Sequence, residues 1–411
     1  SAHGLMRLPK GADGEPIRLG DVVTHPDMGS RRKVTNVCFT GEGVSVGSFN
    51  ILTYRDKNNV PPTAWHEPDN RSRMIPRIMR DNDWDVVGLQ EVRTALARDD
   101  GSMTPSQIED LRGSADLSAY DFAATDRENC SFSMWDSRPK SWTQPILYKR
   151  DRFEPITQGC FVMSSTPSDF SAPSFGWPRN VASWLKLRSR ATGEELYVFN
   201  AHVAANIGPM NGGGRKVSNK KYRKHQVDQA KALISQIKII NTEKLPMILT
   251  GDFNSTFATT PVSAAQTILD SGVFVDAYSS AETVLADGAT WNGLVEDGEG
   301  AKIDHIFVGS EIEPTVASYA VVPTMRKDAD GTLHFASDHN AVSAQVVLRW
   351  VQPSAADVQE GGRGATAVES SRVRSGYARV GLTAVSLIGA LAVVMQVFFV
   401  KKTKSKGRHK Q

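Results

Sequence analysis

The sequence predicts an α/β protein whose sheets lie buried between helical layers, with a membrane-spanning helix near the C-terminus. Three observations carry this reading. Short continuous apolar runs recur from residue 44 onward, each meeting a polar residue able to bind a metal; such runs suit strands covered on both faces. Amphipathic segments of helical period lie between some of them. A stretch of 21 residues without charge, 380–400, stands apart near the end.

The chain has 411 residues, enough for a large core or two domains, and 40% apolar with 23% charged residues is ordinary for a globular body. The net charge of +3 conceals an asymmetry. Lys401, Lys402, Lys404, Lys406, Arg408 and Lys410 are six of the 48 basic residues, and removing them leaves 42 against 45 acids. The body is therefore mildly acidic, and its bulk charge gives no argument for nucleic-acid binding. Three cysteines, Cys38, Cys130 and Cys160, form no CxxC pair, which argues against a zinc site. Buried free thiols are expected, with Cys130–Cys160 the one pairing considered.

Residues 1–40 are rich in Gly, Pro and charge and read as an extension or a small β appendage without chemistry. Residues 41–350 form the main domain. Run 44–49 leads to Asn50, 85–89 to Gln90 and Glu91, and 196–199 to Asn200 and His202. Run 247–250 is expected to end in a glycine turn at Gly251. Asp252 and Asn254, two apart on an extended segment, would then share one face. Lys302 and Ile303 lead to Asp304 and His305, and 341–348 is the last strand. Polar residues at strand ends are where an α/β protein collects its active site. Segment 225–240 places Val227, Ala230, Leu233, Ile237 and Ile240 on one helical face. Segment 71–82 is a second helix, with Pro76 expected in its opening turn.

Residues 351–379 turn to Pro, Ser, Ala and Gly and read as a flexible linker. Segment 380–400 would make about 31 Å of helix at 1.5 Å per residue, matching a hydrocarbon core of about 30 Å. A buried core helix fits poorly between that linker and the polybasic tail, 401–411. Positive-inside bias places the tail in the cytoplasm and the body outside. A tail anchor with a cytosolic body is the alternative, and it needs no signal peptide.

Glu91, Asp252, Asp304 and Asp338, with Asn50, Asn254, His202 and His339, carry the candidate chemistry. Singly, each reads as a turn former, a helix cap or a core histidine. Converged, they demand neutralisation, because two like charges 4 Å apart repel by about 4 kcal/mol at an effective dielectric near 20. Oxygen donors from Glu, Asp and Asn suit Mg²⁺, Mn²⁺ or Ca²⁺ better than zinc.

The motifs SFNIL (48–52), GLQEV (88–92), ILYKRDRF (146–153), FNAHV (199–203), LTGDFNS (249–255), KIDHIFV (302–308) and ASDHNAV (336–342) occur in one order. In that order and spacing the chain resembles the endonuclease/exonuclease/phosphatase superfamily over about residues 44–350. That group includes deoxyribonuclease I-like nucleases, apurinic endonucleases, neutral sphingomyelinases and inositol-polyphosphate phosphatases. The resemblance implies a four-layered α/β sandwich of two packed, mixed sheets flanked by helices. It implies Glu91 as principal metal ligand with Asn50 beside it, and Asp252 as the residue that orients or deprotonates water. Asn254 would hold a phosphate oxygen. Asp338 would fix the tautomer of His339 and touch the metal, while His339 stabilises the phosphorane or activates the water. Asp304 would support that histidine or protonate the leaving group, and His202 would be a second histidine. Tyr148 and Arg179 match phosphate-contacting positions, Arg179 within a loosely fitting WPRNVASW (177–184).

Substrate is less constrained. Arg215, Lys216, Lys220, Lys221, Arg223 and Lys224 precede the next acid, Asp228. They read either as a solvated loop and helix start or as a basic flap over a polyanion. Residues 135–142, with Trp135, Arg138, Lys140 and Trp142, suit base stacking, lipid contact or core. The leading expectation is a membrane-anchored, Mg²⁺-dependent surface nuclease. Its rivals are a sphingomyelinase-type lipid phosphodiesterase, an inositol-phosphate or nucleotide phosphatase, and an inactive displayed binding module. In detergent phase separation, the full chain should enter the detergent phase and a chain ending at residue 350 should stay in water; equal partitioning contradicts the anchor.

Overall fold

The computed structural model describes residues 42–54, 64–66, 70–94, 106–125, 142–163, 180–205, 219–296, 300–310 and 314–348. All belong to the first of the chain's two units, 1–352. Residues 1–40, the expected linker 351–379, the apolar segment 380–400 and the tail 401–411 lie outside the described residues, as do Cys38, Cys130, Arg179, Lys216 and residues 135–141. Among the described residues no helix is long and apolar enough to cross a membrane.

Two mixed sheets form the centre. One has the strand order Ala281–Ala286, Thr315–Val322, Ala341–Leu348, Glu42–Asn50, Val86–Gln90, Ile146–Lys149 and Tyr120–Ala123. The other runs Phe274–Asp276, Asp304–Gly309, Met247–Asp252, Glu195–His202, Val181–Ser189 and Phe153–Val162. Glu42–Asn50 pairs in parallel with Val86–Gln90, as does Glu195–His202 with Met247–Asp252.

Strand alternation sorts the residues into layers. Val44, Val46, Val86 and Ile146 of the first sheet pack against Leu185, Val198, Ile248 and Ile306 of the second. Phe49, Val87 and Leu89 point the other way, under Ile75 and Met79 of helix Arg71–Asn82 and Ile108 and Leu111 of helix Gln107–Arg112. Phe199, Leu249 and Phe307 meet Ala230, Leu233 and Ile237 of helix Asn219–Ile240 and Ile268 of helix Ala264–Asp270. The order is helices, sheet, sheet, helices. Along each inward-facing row the apolar residues give way to polar ones at one end: Val46 to Asn50, Val86 to Gln90, Val198 to His202, Ile248 to Asp252.

Several local expectations are corrected. Helix Arg71–Asn82 begins five residues before Pro76, which sits in its second turn; proline there removes only the bond to the Ser72 carbonyl. The second long helix opens at Asn219 rather than 225. Gly251 lies inside strand Met247–Asp252 rather than in a turn. A Cβ on Gly251 would stand 2.2 Å from the Ala201 carbonyl oxygen, so the neighbouring strand's approach requires glycine. Cys160 is disulfide-bonded, not a free thiol, and its partner lies outside the described residues.

Gly88 sets how closely the sheets meet. A Cβ there would fall 2.0 Å from Thr250 Oγ1 and 2.7 Å from Asn200 Oδ1 of the opposite sheet. Gly88→Ala should therefore cost about 2 kcal/mol or more in a denaturant titration; an unchanged midpoint contradicts this packing.

Candidate active site

The polar end of the inter-sheet layer gathers the side chains. In the second sheet Asp252 stands in register with His202 on one side and Asp304 on the other. The pairing with Asp304 is antiparallel, so the first residue of strand Asp304–Gly309 lies beside the last of Met247–Asp252. Asn50 and Gln90 end two parallel strands of the first sheet, also in register. Asp338 and His339 arrive just before strand Ala341–Leu348, and Ser337 ties them to Asn50 by donating to its carbonyl at 2.6 Å.

Asp252 is the hub. Asn50 Nδ2 donates to its Oδ2 across the sheets at 2.9 Å. His202 Nε2 lies 3.4 Å and His339 Nε2 3.8 Å from the same oxygen. The Asn254 backbone N–H donates to Oδ1 at 2.8 Å. Asn254 has φ 48°, so it reaches the site through a left-handed turn rather than along an extended strand, which corrects the shared-face expectation. Its amide nitrogen donates to the Val203 carbonyl at 2.9 Å and faces His202 Nε2 at 3.0 Å.

Burial, with the Asp304 charge beside it, lifts the Asp252 carboxyl to about 6. Burial opposes charge on His339, but the carboxylates of Asp304 and Asp252 outweigh it and hold the ring well above the usual imidazole range. Asp304 Oδ2 lies 2.8 Å from His339 Nδ1. Asp338 Oδ1 is 4.0 Å from Nε2 of the same ring. The residue that fixes the tautomer of His339 is therefore Asp304, not Asp338. Asp338 and Glu91 are both half-buried. Burial and then the Glu91 charge raise the Asp338 carboxyl. Glu91 has φ 61°, and its Oε2 accepts from the Thr53 N–H at 3.0 Å. Asp252, Asp304 and His339 also offer ligand atoms within 4.8 Å of one another.

Tyr148 is not part of the site. It pairs with Val86, four positions before Gln90, about 13 Å away along the strand at 3.3 Å per residue. Its ring packs in the inter-sheet core, and burial followed by Asp121 pushes its hydroxyl up to about 12. Lys220 is exposed near the start of helix Asn219–Ile240.

Residue-type reasoning passed over the amides that hold this array. Gln90 Nε2 donates to Asn200 Oδ1 at 2.7 Å, and Asn200 Nδ2 donates to the Leu89 carbonyl at 2.8 Å, locking the sheets together. Gln226 donates to the carbonyls of Ala204 and Asn254, and Gln229 to Asn180, which itself donates to the His202 carbonyl. Gln226 and Gln229 fall at i and i+3 on the buried side of their helix. Polar residues in an apolar stripe were the available signal.

Carboxylates, amides and imidazoles converging at one end of a two-sheet sandwich define a phosphoester hydrolase that works with a divalent cation. The chain belongs to the Endonuclease/Exonuclease/phosphatase family, whose pattern matches residues 47–339. Among solved structures, an endonuclease/exonuclease/phosphatase family protein of Bacteroides thetaiotaomicron is 24% identical with a TM-score of 0.58, covering 76% of this chain and 100% of its own. A mannosyl-6-phosphatase of the same organism is 24% identical at 0.57, covering 74% and 100%. A conserved protein of Enterococcus faecalis V583 is 20% identical at 0.55, covering 74% and 100%. These likenesses speak to the fold. No curated protein matches the chain.

Two measurements follow from the geometry. In the Asp304→Asn variant the His339 ring, left with burial and less opposing charge, should lose its proton at lower pH than in the parent, read by imidazole NMR titration. An unchanged titration contradicts the pairing. Tyr148→Phe should leave turnover within about twofold, whereas a large loss would return that residue to the site.

Proposed function

We propose that the chain is a Mg²⁺-dependent phosphodiesterase acting on nucleic acid, carried on a membrane by segment 380–400. The observation that supports it most is the Asp252 carboxylate, wholly buried yet ringed by Asn50, His202, His339 and Asn254, with no Lys or Arg bridged to it among the described residues.

Glu91 and Asp338, with the Asn50 amide oxygen, would hold the cation. They supply oxygen donors only, and the two half-buried carboxylates oppose one another until a positive charge arrives. The tighter Asp252–Asp304–His339 group suits it less well. Asp304 Oδ2 and His339 Nδ1 already bond one another, and the imidazolium already offsets the two acids. When bound, the cation neutralises charge on the phosphate. Asp252 Oδ2 orients the attacking water and takes its proton. His339, protonated and pinned by Asp304, presents Nε2–H to the phosphoryl oxygens as charge develops. Asn254 and His202 shape the phosphate seat. Asp304 is wholly buried behind His339, which favours support of the ring over protonation of a leaving group.

Nucleic acid is favoured by the helix that pins the site loops. Gln226 contacts the Asn254 carbonyl, and three and six residues earlier the exposed Arg223 and Lys220 lie on the same helix. Lys216 belongs to the same basic run. A chain of phosphates leaving the site would meet these charges. The Cys160 disulfide suits an oxidising compartment and so favours the body outside the cytoplasm.

The full chain in detergent, assayed with Mg²⁺ on plasmid DNA, RNA, sphingomyelin, inositol phosphates and a hexose 6-phosphate, should cleave nucleic acid. Cleavage of none, or of lipid or monoester alone, overturns the nuclease reading. Asp252→Ala should lower kcat by a factor of about 10³ or more with an unchanged circular dichroism spectrum. Retained activity removes Asp252 from the mechanism.

A further inference from the structure

A buried arginine stands behind the candidate metal ligands. Arg71, 1% exposed at the start of helix Arg71–Asn82, sends its guanidinium to three backbone carbonyls. Nε donates to Ala336 at 2.8 Å, and Nη2 donates to Leu52 at 2.5 Å and to Ile51. The Trp65 ring packs beneath it, 5.4 Å from the guanidinium carbon. Ile51 and Leu52 directly follow Asn50, while Ala336 precedes Ser337, Asp338 and His339.

Leu52 has φ 53°, a left-handed conformation that a residue with a side chain adopts only under constraint. This turn aims two N–H groups at the site. Leu52 N–H donates to Asn50 Oδ1 at 3.0 Å, and Thr53 N–H donates to Glu91 Oε2 at 3.0 Å. The Leu52 carbonyl is what Arg71 grips, with Gln107 Nε2 adding a second bond at 3.2 Å. Ser337 completes the link through the Asn50 carbonyl.

We propose that Arg71 is the positioning residue of the cation site, fixing through the strained Leu52 turn and the Ala336 carbonyl where Asn50, Glu91 and Asp338 present their oxygens. The inference rests on the assignment of those three as cation ligands. Arg71 holds backbone carbonyls from two segments nearly the whole domain apart in sequence, and its charge also favours the ionised Asp338 carboxyl. Lysine cannot replace it, because one ammonium cannot reach three carbonyls in the planar spread that a guanidinium spans.

The test is Mn²⁺ binding by the full chain in detergent, measured by calorimetry and by electron paramagnetic resonance, with melting curves as a check on folding. The parent, Glu91→Gln, Arg71→Lys, Arg71→Met and the double variant Arg71→Lys with Leu52→Gly are compared. Glu91→Gln should weaken binding strongly. Arg71→Lys and Arg71→Met should each raise the Mn²⁺ Kd by about 10-fold or more, the loss typical of groups that orient metal ligands. Added Leu52→Gly should recover part of that loss, since glycine takes φ 53° freely. Activity of the Arg71 variants should recover partly at high Mg²⁺, which a merely unfolded variant would not do. A folded Arg71→Lys protein whose Kd stays within twofold of the parent, while Glu91→Gln loses binding, overturns the role of Arg71 alone. Undiminished binding in Glu91→Gln overturns the ligand assignment beneath it.

Discussion

Asn200 reaches out of one sheet and bonds the other, donating to the Leu89 carbonyl at 2.8 Å and accepting from Gln90 at 2.7 Å. Those bonds sit where the apolar packing between the sheets gives way to polar side chains. Without them, two apolar faces held by non-directional packing would tolerate sliding. With them, and with Gly88 leaving room for Thr250 and Asn200, the strand ends are fixed in register. Asn50 of one sheet then meets Asp252 of the other at 2.9 Å. The site is thus the polar end of the layer that also forms the main core, and the bonds that align the sheets align the chemistry.

The two ends of this layer treat a buried acid differently. At the far end Asp85 takes Arg152 at 2.6 Å, Lys149 at 3.2 Å and the Ser45 N–H at 2.9 Å. Its charge is closed off by cations, and its part is structural. At the near end Asp252 has amides and imidazoles around it, Asp304 beside it, and a carboxyl lifted to about 6. Two carboxylates about 4 Å apart would repel by about 4 kcal/mol at an effective dielectric near 20. His339, kept protonated by both, offsets that repulsion while leaving the carboxylate oxygen directed at the site. The arrangement stores reactivity where an ordinary fold would quench it.

Much of this was legible in the sequence, for physical reasons. Apolar runs ending in Asn50, Glu91, His202 and Asp252 marked the strands and the end at which they converge, because alternation carries a face from core to site. Asp304 and His305 show the limit: adjacent in sequence, they point to opposite faces, Asp304 to His339 and His305 to Phe253, Phe257 and Phe307. The Asp304–His339 pairing is a tertiary contact, whereas the resemblance implied Asp338 in that part. Tyr148 sat in a matching motif but at the wrong end of its strand, because an antiparallel neighbour reverses which end faces the site. Asn254 needed a left-handed turn that a two-residue spacing does not reveal. Gln90, Asn200, Gln226 and Arg71 were visible as residues, but their partners lie far along the chain.

The proposed cation seat lies between Glu91, Asp338 and Asn50, on the first-sheet side of Asp252. Anomalous diffraction from crystals grown with Mn²⁺ locates it directly. A single strong peak within coordination distance of the Glu91 and Asp338 carboxylates, with the Asp304–His339 bond intact, is the expected result. A peak seated instead among Asp252, Asp304 and His339, with that bond broken, would contradict it.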